Sequence, residues 1–218
     1  MSHFVLIPGG FRRADYFDPI APALREAGHR VDSLTLPGLQ ESADPRTPVN
    51  LDTHVDHVLD HLLAEDATDV LLVAHSYSGM VTTGVALRAP ERIARLVYLD
   101  CIVPVAGQST WDLITPRMRD LFIRWCTDGF VVTPDDPDEQ VAAQPMATFL
   151  QPVTAGIESL TVPRVYVHAG HGSDFDEIHE RLQQDPQWEC VDLPSNHDFV
   201  QGAPTELTEL LLSQARPR

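Results

Sequence analysis

The run Asp69 to Ala74 is continuous and apolar, and it passes at once into the small-residue turn His75-Ser76-Tyr77-Ser78-Gly79 and then into a helical pattern ending at Pro90. An apolar run of this length is the pattern of a strand buried on both faces, which calls for a parallel sheet with helices packed on either side. The rest of the chain repeats the alternation. Strands are predicted at Phe4 to Ile7, Val31 to Leu34, Ile93 to Leu99, Arg164 to Ala169 and Glu189 to Leu193. Between them, helical spacing is predicted over Tyr16 to Ala27, Leu51 to Ala64, Gly79 to Ala89, Asp176 to Gln184 and Thr205 to Ala215. The expected class is α/β, with a mostly parallel, doubly wound sheet.

Between Pro104 and Val162 the alternation fails, because Pro, Asp and Thr interrupt short apolar stretches such as Trp111 to Ile114 and Met118 to Trp125. This segment is expected to be a small helical cap, inserted at about 104–162 over the carboxyl edge of the sheet. With 218 residues, of which 43% are hydrophobic, the chain can build one sizeable core, so residues 1–218 are expected to form a single domain.

A net charge of −17 makes nucleic acid and anionic membrane surfaces poor partners, since a phosphate-binding face needs clustered cations. All 15 cationic residues are Arg, so any chemistry needing a lysine is excluded. The three cysteines, Cys101, Cys126 and Cys190, have no metal-ligand spacing, and with the short apolar start Met1 to Pro8 read as a strand, a cytoplasmic setting is expected. No run reaches the length of a transmembrane helix.

The buried strand running into a sharp turn and then a helix is the setting of a nucleophile elbow, with Ser76 at its apex. Such a turn needs small residues two before and two after the nucleophile. Here these are Ala74 and Ser78, with Gly79 following, where the usual pattern has glycine at both positions. These residues resemble the α/β hydrolase superfamily, and more closely its branch of plant methyl esterases and hydroxynitrile lyases. Pro8-Gly9-Gly10 at the end of the first strand, then Gly28, His29 and Val31 after the first helix, carry the resemblance further.

The resemblance implies an α/β hydrolase fold and a catalytic Ser, acid and His in that order. His197, in the polar loop Leu193-Pro194-Ser195-Asn196-His197-Asp198, is then the general base, and the backbone amides of Gly10 and Tyr77 form the oxyanion hole. His75 is expected to pack behind the turn. Two aspartates compete to orient His197. Asp174 follows the strand where most of the superfamily places its acid. Asp100 ends the preceding strand, where small bacterial esterases that resemble this chain carry a Leu-Asp-Ala segment. Asp100 is preferred and Asp174 kept as the alternative.

The expected activity is hydrolysis of a small or medium carboxylic ester or thioester through an acyl-enzyme. Phe11, Trp111 and Trp125 are the expected substrate contacts; Phe122, Phe130 and Phe149 add to an apolar cap. A hydroxynitrile lyase is disfavoured by the absence of lysine, and an epoxide hydrolase or dehalogenase by Ser76 where those need Asp. A non-catalytic binding protein on the same fold is the alternative from another class. No cofactor is expected, and the cluster His168, His171, Asp174, Asp176 and His179 matches no metal-ligand spacing. A homodimer is carried as an expectation.

Overall fold

The computed structural model describes residues 1–41, 43–44, 47–136, 141–170 and 173–215. In chain order its elements are β1 (His3–Ile7), α1 (Ala21–Glu26), β2 (Arg30–Ser33), α2 (Leu51–Ala64), β3 (Val70–His75), α3 (Ser78–Arg88) and β4 (Ile93–Leu99). The inserted segment holds α4 (Thr110–Leu113), α5 (Pro116–Trp125), β5 (Val131–Val132), β6 (Gln144–Pro145) and α6 (Ala147–Leu150). The chain then returns through β7 (Arg164–Ala169), α7 (Asp176–Gln183), β8 (Glu189–Leu193), α8 (Phe199–Gly202) and α9 (Pro204–Gln214). The main sheet has six strands in the order β2-β1-β3-β4-β7-β8. Every pair in it is parallel.

Successive residues of a strand point to opposite faces, and both faces here are apolar. On β3, Leu72 and Ala74 join one core cluster with Val55 and Val81, while Leu71 and Val73 join the other with Leu24 and Leu207. Helices α2 and α3 therefore cover one face and α1 and α9 the other, as a doubly wound sheet requires. A reciprocal cap starts α2: the Asn50 side chain accepts from the Thr53 amide at 3.0 Å, and Thr53 Oγ1 accepts from the Asn50 amide at 3.3 Å.

Two expectations need correction. The single helix predicted over Tyr16 to Ala27 is a 3-10 turn at Ala14–Phe17 followed by the short α1. Pro22 lacks the N–H that would bond the Asp18 carbonyl, so a continuous helix cannot form there. The cap is not wholly helical, because β5 and β6 form an antiparallel ribbon between α5 and α6.

Gly79, in the first turn of α3, fixes how closely this helix approaches the sheet. A Cβ there would lie 2.0 Å from the Ile102 carbonyl oxygen and 2.9 Å from Cys101 Cβ. Gly→Ala within a helix is ordinarily worth about 0.5–1 kcal/mol of added stability. Here the substitution drives Cβ into backbone, and Gly79→Ala is expected to lower unfolding stability by about 3 kcal/mol, read from the urea midpoint at constant slope. A stabilised variant would show that the close approach is not a constraint.

Candidate active site

Five loops leave the carboxyl ends of β1, β3, β4, β7 and β8, and all the candidate groups sit on them, where ligand crevices of parallel sheets form. Ser76 follows β3 with a φ of 55°, a left-handed conformation uncommon for a residue bearing a Cβ. The surrounding backbone enforces it. The Ser76 amide donates to the Leu99 carbonyl at 3.1 Å, and the Ser76 carbonyl accepts from the Ile102 amide at 3.0 Å and the Gly79 amide at 3.2 Å. Ser78, in place of the usual glycine, is buried, and its hydroxyl donates to the Pro8 carbonyl. That bond ties the start of α3 to the turn after β1. On the same turn a Cβ at Gly9 would lie 2.8 Å from His75 Nδ1 and 3.0 Å from Ser76 Cβ, so the glycine lets the two turns touch.

Asp100 follows β4, also with a left-handed φ of 45°, and is completely buried. Its amide donates to the Val167 carbonyl at 2.7 Å. A buried carboxylate is costly unless hydrogen-bonded. Asp100 accepts from Ser173 Oγ at 2.8 and 2.9 Å, from the Ala169 amide at 3.4 Å, and stands 2.7 Å from His197 Nδ1. Asp174 lines the cavity, but its side chain makes no hydrogen bond to His197 among the described residues. The structure thus brings His197 together with Asp100 and leaves Asp174 apart. His197 is held from behind as well: buried His75 donates from Nε2 to the His197 carbonyl at 2.8 Å. Burial and the neighbouring His197 keep the His75 pKa well below the usual histidine value, so its ring is neutral.

Ser76 and His197 line one cavity of about 320 Å³ together with Gly9, Gly10 and Tyr77. Neither the Gly10 nor the Tyr77 amide donates to a described side chain or loop carbonyl. The two residues are adjacent, since a Cβ on Gly10 would lie 3.6 Å from Tyr77 Cβ. Both residues line the cavity that holds Ser76. The neighbouring Phe11 amide, by contrast, is engaged by Gln144 Oε1 at 2.9 Å.

The remaining lining combines an aromatic face with charged side chains, Arg12, Arg117, Asp136, Asp174 and Asp198. Phe11, Phe122, Trp125 and Phe149 form the aromatic face, with Phe11 edge-on to Phe122 at 5.4 Å between ring centroids. Trp111, expected as a substrate contact, is not on this face; it lies in α4, packed at the edge of the core, and its carbonyl is bound by Arg119 Nε at 2.7 Å. Phe130 is exposed on the outside of the cap.

Within the cluster weighed as metal ligands, His168 and Asp176 form an ion pair. His168 Nδ1 is 3.0 Å from Asp192 and Nε2 is 2.8 Å from Asp176. Burial lowers the His168 pKa, and the two carboxylates outweigh it, leaving the value raised. His179 stacks on His168 at 4.0 Å between ring centroids, and one donor atom each of His168, His179 and Asp192 lie within 4.8 Å of one another. Asp174 takes no part in these pairs, and His171 lies outside the described residues.

Sequence reasoning missed Ser173 and Gln144. The first is a single polar residue in a loop; the second lies in a stretch without periodicity, and its partner is 133 residues away.

The sequence model of a family described as "Alpha/beta hydrolase family" matches residues 4–210. A carbendazim hydrolyzing esterase from Nocardioides sp. (strain SG-4G) is 35% identical, over 97% of this chain and 98% of that protein. Polyneuridine aldehyde esterase from Rauvolfia serpentina is 32% identical over 50% of this chain and 42% of that protein. Among solved structures, an extracellular alpha/beta-hydrolase from a Paenibacillus species superposes with a TM-score of 0.86 at 22% identity, covering 100% of both chains. A likeness at that identity speaks for the fold.

Proposed function

The chain belongs to the alpha/beta hydrolase family, and from that premise we propose that Ser76, His197 and Asp100 form the catalytic triad of its ester hydrolysis. The protein is a hydrolytic enzyme acting on small or medium esters. The observation that carries the triad is the pairing of His197 Nδ1 with buried Asp100 at 2.7 Å, on a cavity that His197 shares with strained Ser76.

In this reading Asp100 accepts from His197 Nδ1–H, which leaves Nε2 free to take the Ser76 proton. Ser76 Oγ attacks the ester carbonyl carbon, and the carbonyl π electrons move onto oxygen, which the Gly10 and Tyr77 amides receive. Collapse expels the alcohol, protonated by His197, and leaves an acyl-enzyme. Water, deprotonated by His197, then repeats the addition and releases the acid with Ser76 restored. No cofactor enters any step. The three free cysteines favour a reducing cytosol. Among the described residues no helix is long and apolar enough to cross a membrane.

The proposed substrate has an apolar body, which the wall of Phe11, Phe122, Trp125 and Phe149 would cover. The relative that is a carbendazim hydrolyzing esterase makes carbendazim a first compound to assay. With p-nitrophenyl esters, kcat/KM is expected to rise from acetate to butyrate by about fourfold for each methylene buried against that wall. A flat or falling series would place the acyl group away from the aromatic wall and overturn this assignment.

A further inference from the structure

The inserted cap reaches into the catalytic turn through one side chain. Gln144, on β6, is fully buried and accepts the Phe11 amide on Oε1 at 2.9 Å. Two residues earlier, the Ala142 amide donates to the Phe11 carbonyl at 2.7 Å. Both backbone groups of Phe11 are therefore taken by the cap, and Phe11 is held at a φ of 64°, a conformation that a bulky residue keeps only when its surroundings impose it. The same Oε1 would lie 3.4 Å from a Cβ on Gly10.

The other end of Gln144 is anchored within the cap. Its Nε2 donates to Thr148 Oγ1 at 2.9 Å, and Thr148 donates to the Pro145 carbonyl at 2.7 Å. The next residue, Phe149, packs its ring edge-on against that of Tyr77 at 5.3 Å between centroids. Tyr77 is in turn 2.9 Å from His54 Nδ1, while His54 Nε2 is 2.9 Å from the Pro37 carbonyl. A carbonyl can only accept, so Nε2 carries the proton and Nδ1 accepts from the Tyr77 hydroxyl. Burial lowers the His54 pKa to about 4, which keeps the ring neutral and this arrangement intact near neutral pH. His54, Tyr77, Thr148 and Gln144 are all buried.

We propose that Gln144 is a positioning residue for the oxyanion hole: oriented by Thr148, it binds the Phe11 amide and fixes the Gly9-Gly10-Phe11 turn beside Tyr77, so that the Gly10 and Tyr77 amides face one point. This rests on the reading of those two amides as the hole. The cap then supports the bond-making step itself in addition to covering substrate. Without Gln144 the Phe11 amide has no acceptor and the Gly9-Gly10-Phe11 turn can rotate. A small misdirection of a hydrogen-bond donor is enough to weaken transition-state stabilisation.

The test compares an oxygen ester with its thionoester, whose sulfur is a larger and weaker hydrogen-bond acceptor, in wild type, Gln144→Met and Thr148→Val. Wild type is expected to favour the oxygen ester by about a hundredfold or more in kcat, as a preformed hole would. Gln144→Met is expected to lose about 10- to 100-fold in kcat on the oxygen ester with KM within about threefold, and its preference for oxygen should fall by about tenfold. Thr148→Val, which removes only the hydroxyl that receives Gln144, is expected to shift the preference the same way by about threefold; it carries the test should Gln144→Met fail to fold. A folded variant that keeps the full oxygen preference overturns the role of Gln144 and leaves the hole standing. A wild type that does not discriminate removes the hole, and this inference with it.

Discussion

Asp100→Asn lowers kcat on a p-nitrophenyl ester by about four orders of magnitude, while Asp174→Asn stays within about threefold of wild type. The expectation follows from what each carboxylate touches. Asp100 is buried, stands 2.7 Å from His197 Nδ1 and is fixed by the Ser173 hydroxyl and the Ala169 amide. A neutral amide in its place no longer offsets the positive imidazolium that forms as His197 takes the serine proton. It can also present an N–H to Nδ1, selecting the tautomer whose Nε2 cannot act as a base. Asp174, on the cavity wall with no bond to His197 among the described residues, has no such leverage. Steady-state kinetics on both variants at one pH, with circular dichroism to verify folding, decides between them. Equal losses, or the larger loss at Asp174, would reverse the assignment.

Ser76→Ala is expected to cost still more, on the order of a millionfold in kcat, leaving only what binding and the oxyanion hole supply over water. The thiol of Cys101 is no substitute: it is fully buried, and burial together with the Asp100 charge raises its pKa well above the usual thiol value. Stability should change little or improve slightly, because alanine gives up only a hydroxyl on the cavity wall while the same backbone bonds remain to hold φ at this turn. Residual turnover above a thousandth of wild type would mean that another nucleophile operates.

Much of the frame was legible in the sequence because burial imposes strong patterns. The helix over Leu51 to Ala64 and the strands Arg164 to Ala169 and Glu189 to Leu193 have the predicted limits. In each, apolar periodicity and turn residues agree. The elbow was legible for the same reason: a doubly buried strand ending in small residues has few alternatives. Its departure from the usual glycine pattern acquired a cause only in three dimensions, where the Ser78 hydroxyl binds the Pro8 carbonyl and the steric limit falls on Gly79 instead.

Other features were out of reach because they depend on contacts between distant segments. The choice between Asp100 and Asp174 turns on which loop His197 folds back to, and each local sequence is compatible with a turn. Ser173 binds a carboxylate 73 positions away. The β5–β6 ribbon has two-residue strands, too short for a period to be read. Trp111 and Trp125 carried the same signal as aromatic cap residues, and only packing places Trp125 on the cavity and Trp111 away from it.

Ser76 is expected to carry the acyl group during turnover. Rapid acid quench of wild type with p-nitrophenyl butyrate, followed by intact-mass and peptide mass spectrometry, reads it directly. A butyryl mass increment is expected on the peptide containing Ser76, formed with a burst of p-nitrophenol and absent in Ser76→Ala. An increment on any other residue, or its persistence in Ser76→Ala at the wild-type rate, would contradict it.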